Sequence, residues 1–354
     1  MWIWSESHSH ANQQPGIFSF EDDDTLSHKI QGKAKEPNPD VADVVEKEAE
    51  KEVESLGKLG ENKGLCPAGS FRLAAMEACA PWLGCKDIAD EVAVQDMLDW
   101  GGVKKVYRAT WRGHTVAYSN LTRKHFPWRD FFLNDVAMLR TLQQSPHVVQ
   151  MVGSCNTTFL TEYHRLGSAD KIEAVLAREE FSKFNNVRTR FNLAVSYLRA
   201  MHYLHNSPVG KLVLCDSNRL KKALSQFLIT EDFKLVLNDL DSVLEANTES
   251  QLFMRCNFNR IQPKSDFSAP EQRFPFQHGR LNYSMMPSYN EKMDIWKIPT
   301  VVDYLLGKVN GSDVVRLNLF KVHRQCKNKD PKKRPSARIL LKEYKRIRNM
   351  VFPD

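Results

Sequence analysis

The order of local patterns along the chain constrains its fold more than any other feature. Strand-forming segments come first and helical periodicity follows. In residues 101–120, Val103, Val106, Tyr107 and Trp111 favour a strand, Arg112-Gly113 supplies a turn, and Thr115-Val116-Ala117-Tyr118 returns as its partner. Residues 130–143 place Phe132, Val136, Leu139 and Leu142 at helical spacing. Short strands are expected at 148–152 and 159–163. Helices are expected at 189–205, where Phe191, Leu193, Ala194, Tyr197, Leu198 and Met201 recur, and again at 294–306 and 336–351. Strands gathered ahead of helices argue for an α+β fold with segregated lobes and against a parallel α/β sheet.

At 354 residues the chain has room for two domains, or for two lobes and a tail. Its 42% hydrophobic, 26% charged and 10% aromatic content excludes a fully disordered, collagenous or coiled-coil chain. No run approaches the about 20 apolar residues of a spanning helix. The start, Met1-Trp2-Ile3-Trp4-Ser5-Glu6, lacks the basic and apolar regions of a signal peptide. Residues 1–64 hold 14 acidic and 7 basic side chains and few spaced apolar positions, so a disordered acidic tail or stalk is expected there. The remainder is basic, which fits an anionic ligand such as phosphate and equally fits simple solubility. No nucleic-acid partner is expected.

Seven cysteines, Cys66, Cys79, Cys85, Cys155, Cys215, Cys256 and Cys326, show no zinc-type spacing. They fit three disulfides and a free thiol in an oxidising compartment, or seven reduced thiols in the cytosol. Four glycosylation sequons, at Asn120, Asn156, Asn282 and Asn310, lean towards the secretory pathway. A Cys-containing extension is expected over 65–94.

Several segments then fall in a telling order. They are Thr161-Glu162-Tyr163-His164, Leu214-Cys215-Asp216, Asn238-Asp239-Leu240-Asp241, Ala269-Pro270-Glu271, Met293-Asp294-Ile295-Trp296 and Asp330-Pro331-Lys332-Lys333-Arg334-Pro335. This series resembles the hinge, catalytic loop, metal-binding loop, Ala-Pro-Glu motif, the next helix and the closing motif of protein kinases over 95–351. The resemblance implies a small, mainly β N-lobe (about 95–160) and a larger, mainly α C-lobe (about 163–351).

The departures from the kinase pattern bear on function. Ser119, in Val116-Ala117-Tyr118-Ser119, stands where the phosphate-binding lysine is usual. The glycine-rich loop keeps Gly101 in register, and Lys104 falls at its third glycine. Lys104 and Ser119 lie on neighbouring strands, so Lys104 is expected to reach the phosphates, as the lysine of the with-no-lysine kinases does. Lys105 should face the other way, because side chains alternate along a strand. Asp216 is the candidate base. Lys221 occupies the position five residues on, where an Asn is usual. Gln226 lies ten residues after Asp216, so a five-residue insertion would make Gln226 and Asp239 the metal ligands. Asp135 matches the helix carboxylate that pairs the lysine, and Glu271 and Arg334 match a structural ion pair. Gly101, Lys104, Thr161, Glu162 and Tyr163 are the candidate nucleotide contacts.

Cys66-Pro67, Pro81-Trp82-Leu83, Gly102-Val103-Lys104, Cys215-Asp216-Ser217-Asn218 and Ile295-Trp296-Lys297-Ile298-Pro299 sharpen the resemblance to the protein O-mannose kinase family. That resemblance implies transfer of the γ-phosphate of ATP, with Mg2+ (or Mn2+), to the 6-hydroxyl of mannose in a GalNAc-GlcNAc-mannose trisaccharide on α-dystroglycan. It implies an enzyme of the endoplasmic reticulum lumen held as a type II membrane protein, through an anchor not visible in this sequence. It also implies disulfides pairing Cys66 with Cys79, Cys85 with Cys155 and Cys215 with Cys256, leaving Cys326 free. The alternatives are a catalytically silent scaffold, or a kinase acting on Ser, Thr or Tyr of proteins.

Overall fold

Arg112 and Gly113 both adopt positive φ, 47° and 80°. This is the pair of conformations that lets a two-residue turn match the right-handed twist of its strands. The turn lies in a computed structural model that describes residues 66–246, 266–273 and 289–353. The expected tail at 1–64, Cys256 and Asn282 lie outside the described residues.

An N-terminal extension carries β1 (Ser70–Phe71), β2 (Ala80–Pro81) and α1 (Cys85–Glu91). Then come β3 (Val92–Trp100), β4 (Lys104–Trp111), β5 (His114–Leu121), α2 (Trp128–Leu142), β6 (Met151–Cys155) and β7 (Thr158–Glu162). The sheet order is β3-β4-β5-β7-β6, antiparallel throughout. Strand β3 starts at Val92, slightly ahead of the boundary expected at 95. Phe132, Leu139 and Leu142 of α2 are buried, and Phe132 meets Phe159 of β7 at a ring separation of 5.3 Å.

The sheet edge at β6 is covered by the extension. Leu83 bridges Gly153 in parallel, its N–H donating to Val152 (2.9 Å) and its carbonyl accepting from Ser154 N–H (3.1 Å). Disulfides Cys66–Cys79 and Cys85–Cys155 fix the extension to itself and to β6. Covering an edge in this way satisfies backbone groups that would otherwise template foreign pairing. Cys215 is also disulfide-bonded, whereas Cys326 is free and buried.

The second lobe holds α3 (Ile172–Leu176), α4 (Val187–His205), β8 (Leu212–Leu214), α5 (Leu220–Ser225), β9 (Phe227–Ile229), β10 (Leu235–Leu237), β11 (Val243–Glu245), α6 (Lys292–Leu306), α7 (Ser312–Cys326) and α8 (Ala337–Val351). Asn186 caps α4 by accepting from Thr189 N–H (3.0 Å), and Ser336 caps α8 by accepting from Ile339 N–H (3.3 Å). Helices α4 and α6 form the buried centre through Phe191, Leu198, Met201, Ile298 and Val302. Arg334 grips Glu271 with both arms of its guanidinium, at 2.5 and 2.9 Å, and both side chains are buried. The lobes are stitched beside the cleft, where Val149 N–H donates to Leu237 O (3.0 Å) and Leu237 N–H to His147 O (2.8 Å). Val148 and Val149 thus serve this junction, and β6 starts only at Met151. Of the sequons, Asn156 and Asn310 are exposed in turns, and Asn120 is half-buried within β5.

A Cβ at Gly153 would sit 2.5 Å from Leu83 O and 2.6 Å from Leu83 Cβ, so the two backbones approach too closely for any other residue. Gly153→Ala is expected to lower stability by about 1–3 kcal/mol. Thermal unfolding should show a reduced midpoint, and an unchanged midpoint would mean that the extension is not held against β6.

Candidate active site

Strand β4 and helix α2 bring opposite charges together inside the cleft. Lys104 pairs along β4–β5 with Leu121, and Val106 pairs with Ser119. With a strand period of two, Lys104, Val106 and Ser119 share one face. Lys105 lies on the other and is exposed. The Lys104 side chain is only 11% exposed. Its ammonium donates to Asp135 of α2 and to Asp239 Oδ1 (2.8 Å), and lies 5.3 Å from the centre of the Phe159 ring. Burial alone would discharge a lysine. The carboxylates of Asp135, Asp239 and Asp241 overcome that and hold the ammonium charged well above its ordinary range.

The same contacts order the metal-loop segment. Asp135 Oδ1 accepts from Leu240 N–H (3.1 Å), and Asn134 Nδ2 donates to the carbonyls of Leu240, Asp241 and Val243 at 3.0–3.2 Å. Helix α2 therefore fixes both the lysine and the loop that carries Asp239.

The residues between Asp216 and Gln226 form α5, one and a half turns of helix. This is where the extra residues inferred from spacing are absorbed. The helix turns Lys221 outward, 3.9 Å from Asp170 and largely exposed, so it does not face the metal loop. It turns Lys222 inward instead, 2.7 Å from Asp216 Oδ2. Burial draws the Lys222 ammonium down, and Asp216 and Asp239 more than offset this, so it stays charged. Lys222 was not singled out from sequence, because without the helix two adjacent lysines are indistinguishable.

Asp216, Asp239 and Asp241 each offer a carboxylate oxygen within 4.8 Å of the others. Gln226 is fully buried; its amide nitrogen donates to Lys222 O (3.1 Å), and its Oε1 has no hydrogen-bond partner among the described residues. Its backbone carbonyl accepts from Asn238 and Asp239 N–H, so the residue abuts the metal loop. Burial and the neighbouring Asp239 drive the Asp241 carboxyl well above the ordinary range, while Lys104 and Lys222 keep Asp239 below it in spite of burial. Four carboxylates, Asp135, Asp216, Asp239 and Asp241, face the two ammonium groups of Lys104 and Lys222. Burial favours the neutral form of Asp241, so the charge left over is smaller than the count of carboxyl groups, and the all-oxygen set of Asp216, Asp239, Asp241 and Gln226 suits a hard ion such as Mg2+ or Mn2+.

The hinge residues close β7, Thr161 and Glu162 being its last two residues and Tyr163 the first beyond it. Thr161 is buried. Glu162 directs its carboxylate to Gln150, accepting from its backbone N–H at 3.0 Å, and Tyr163 is half-buried. On the opposite side of the cleft, Gly101 N–H donates to Lys104 O (2.9 Å) and closes the glycine-loop turn. Lys104, Asp135, Asp216, Asp239, Asp241 and Gln226 are thus gathered around the metal loop, with Thr161 to Tyr163 forming the hinge.

Comparison with known proteins agrees with this geometry. A family described as the protein-kinase domain of FAM69 matches residues 127–266. Proteins named protein O-mannose kinase match over most of the chain. The Xenopus laevis protein is 43% identical over 82% of this chain and 82% of its own length. The chicken (Gallus gallus) protein is 42% identical over 85% and 84%, and the human (Homo sapiens) protein 41% over 80% of each. The chain belongs to the protein O-mannose kinase family. The fold is that of a protein kinase, with a mainly β N-terminal lobe and a mainly helical C-terminal lobe.

His164 closes the hinge electrostatically. It lies 3.5 Å from Glu162 and 3.2 Å from Glu231. Burial opposes its charge, but the two carboxylates prevail and raise its pKa to about 9. Since the folded value exceeds the unfolded one, this pairing stabilises the protein fully below about pH 6.5 and is lost as the pH rises through about 9. Discounting for the half-exposed Glu231, stability should fall by about 1–3 kcal/mol across that window. Denaturant unfolding of His164→Gln should lack this pH-dependent component, and an identical pH profile in both proteins would refute the pairing.

Proposed function

We propose that this chain is a carbohydrate kinase that transfers the γ-phosphate of ATP to the 6-hydroxyl of O-linked mannose in a GalNAc-GlcNAc-mannose trisaccharide on α-dystroglycan. The observation that carries the kinase reading is the buried, doubly paired ammonium of Lys104. It supplies, from β4, the positive charge that Ser119 cannot supply from β5. The acceptor follows from membership of a family whose relatives are named for O-mannose.

Asp216 accepts the proton of the mannose hydroxyl as its oxygen bonds to the γ-phosphorus and the bond to ADP breaks. Lys222, paired with Asp216, sets the direction of that carboxylate and places a second positive charge beside the transfer. Lys104 releases part of its hold on Asp239 to the phosphates while Asp135 keeps it in place. Gln226 and Asp239 would hold Mg2+, with Asp241 as an additional carboxylate. The ion, when bound, neutralises charge on the phosphates. Thr161, Glu162 and Tyr163 line the adenine side, and Gly101 lets the loop close over the phosphates. Catalysis is then positioning plus charge neutralisation.

The luminal assignment rests on the disulfides, which persist in oxidising compartments. No helix among the described residues is long and apolar enough to cross a membrane. We place the enzyme in the endoplasmic reticulum lumen as a type II membrane protein, by resemblance to the family.

Transfer from labelled ATP to the synthetic trisaccharide should proceed, and transfer to Ser/Thr/Tyr peptides should not. Lys104→Ala and Asp216→Asn should each reduce turnover by roughly a hundredfold or more while the protein stays folded. Near-normal turnover by either variant removes that residue from the chemistry. Phosphorylation of peptide in preference to trisaccharide overturns the acceptor. Thermal stabilisation by ATP should depend on divalent metal, and stabilisation that ignores the metal would point to a scaffold.

A further inference from the structure

Helix α6 carries a charged pair in an otherwise apolar interior. Met293, Ile295, Ile298, Val301 and Val302 are completely buried, and within this run Asp294 and Lys297 are each 1% exposed. An ammonium in such surroundings is strongly disfavoured unless it is paired and hydrogen-bonded. Burial draws the Lys297 pKa down, opposed by Asp294. Nothing in the folding of α6 calls for a lysine here, and an apolar side chain of similar length would cost nothing in desolvation. The reason for its presence lies in what its ammonium touches.

Among the described residues, its hydrogen-bond partners outside α6, Ser217 and Leu214, both lie in the catalytic loop. Lys297 Nζ donates to Ser217 Oγ at 2.6 Å and approaches Leu214 O at 3.5 Å, while Asp294 Oδ1 stands at 3.4 Å. Ser217 Oγ in turn donates to Leu214 O at 2.5 Å, and Ser217 N–H to Cys215 O at 2.7 Å. Asp294 Oδ2 accepts from Leu214 N–H at 3.2 Å and faces His205 Nε2 at 3.3 Å. Both backbone groups of Leu214 are therefore held by α6, its N–H by Asp294 and its carbonyl by Lys297 and Ser217. The two ends of a four-residue turn, Leu214 and Ser217, are pinned from below. Asp216 stands between them, with its side chain 31% exposed towards the cleft.

We propose that Lys297 is a positioning residue for Asp216. Its ammonium fixes Ser217 against Leu214 and so sets where the Asp216 carboxylate points. Lys222 meets that carboxylate from the cleft side and Lys297 holds its backbone from the core side, so the base is located by one cation on each side. The role differs from that of Lys104, because Lys297 is 1% exposed and lies behind the catalytic loop, against Leu214 and Ser217. The inference rests on Asp216 being the base of the proposed kinase.

The test compares Lys297→Met, Ser217→Ala and the double variant with the wild-type chain. Turnover is measured with ATP and the synthetic trisaccharide, and amide hydrogen exchange over 212–219 is read on the same proteins. Lys297→Met should lower kcat by about ten- to a hundredfold, with KM for ATP within about twofold of wild type. Ser217→Ala should lower kcat by about tenfold, equivalent to about 1.4 kcal/mol of barrier. The double variant should be no worse than Lys297→Met, since the two groups act as a unit. The amides of Leu214 and Ser217 should exchange at least about tenfold faster in both single variants, while those in the middle of α4 keep their protection.

A folded Lys297→Met with wild-type kcat and exchange overturns the proposal. So do multiplicative losses in the double variant, or an increase in KM for ATP equal to the loss in kcat/KM. If Lys297→Met does not fold, Ser217→Ala decides by the same two readouts. If wild-type protein transfers nothing to the trisaccharide, the acceptor assignment fails. The exchange readout then still decides whether Lys297 orders the turn.

Discussion

The ammonium of Lys104 is the point at which the two lobes are registered. It leaves β4, meets Asp135 on α2 and reaches Asp239 on the loop that follows β10. Moving one such charge out of water costs several kcal/mol even after relaxation, and only close, hydrogen-bonded countercharges offset it. Those countercharges come from elements far apart in sequence, so the ion pairs can form only when strand, helix and loop are all in place. Asp135 doubles the constraint by accepting from Leu240 N–H as well. A cleft assembled in this way is preorganised: its charges do not have to be gathered when a nucleotide arrives.

The carboxyl groups around this lysine outnumber the ammonium groups, and the surplus has a chemical use. Asp241 occupies a position where kinases usually have glycine, so the loop carries one more carboxylate than usual. Lys222 tempers the excess without cancelling it. A divalent cation beside Asp239 would favour the ionised form of Asp241, so the extra carboxyl can answer the ion's charge when the ion is bound. The buried Oε1 of Gln226, without a hydrogen-bond partner among the described residues, fits the same arrangement, because a neutral oxygen would add a ligand without adding charge.

Much of this was legible in the sequence because local rules and motif order agreed. The hairpin turn at Arg112-Gly113 and the helices around Phe132 and Phe191 each follow from a period or a turn residue, whereas the inward lysine at 104 follows from the resemblance to the with-no-lysine kinases, with strand alternation turning Lys105 the other way. Helix α7 was not legible. Its apolar residues, Val314, Val315, Leu317, Leu319, Phe320 and Val322, spread around the axis, and three of them, Val314, Leu317 and Phe320, are exposed, so no single stripe marks a buried face. Nor could spacing separate Lys222 from Lys221. An insertion can be counted from sequence, but which of two adjacent side chains it turns inward depends on whether it forms a loop or a helix. The burial of Lys297 was hidden for a related reason: a lysine in a helical run normally marks the solvent face, and only the position of the catalytic loop against α6 reverses that reading.

The serine at 119 is best understood as a consequence of the lysine at 104. The two positions lie on the same face of adjacent strands, and Ser119 is 3% exposed. A lysine at each would bring two ammonium groups into one buried pocket whose nearest carboxylates, Asp135 and Asp239, are already engaged. The second cation would lack a close partner and would repel the first, at a cost of several kcal/mol. A small side chain at 119 avoids that conflict and leaves room beside Phe159 for the Lys104 stem. Moving the charge from one strand to the next therefore keeps the countercharges of the cleft unchanged while altering only the direction from which the amine enters. The cation absent at 119 is thus supplied to the same carboxylates from the neighbouring strand, by Lys104.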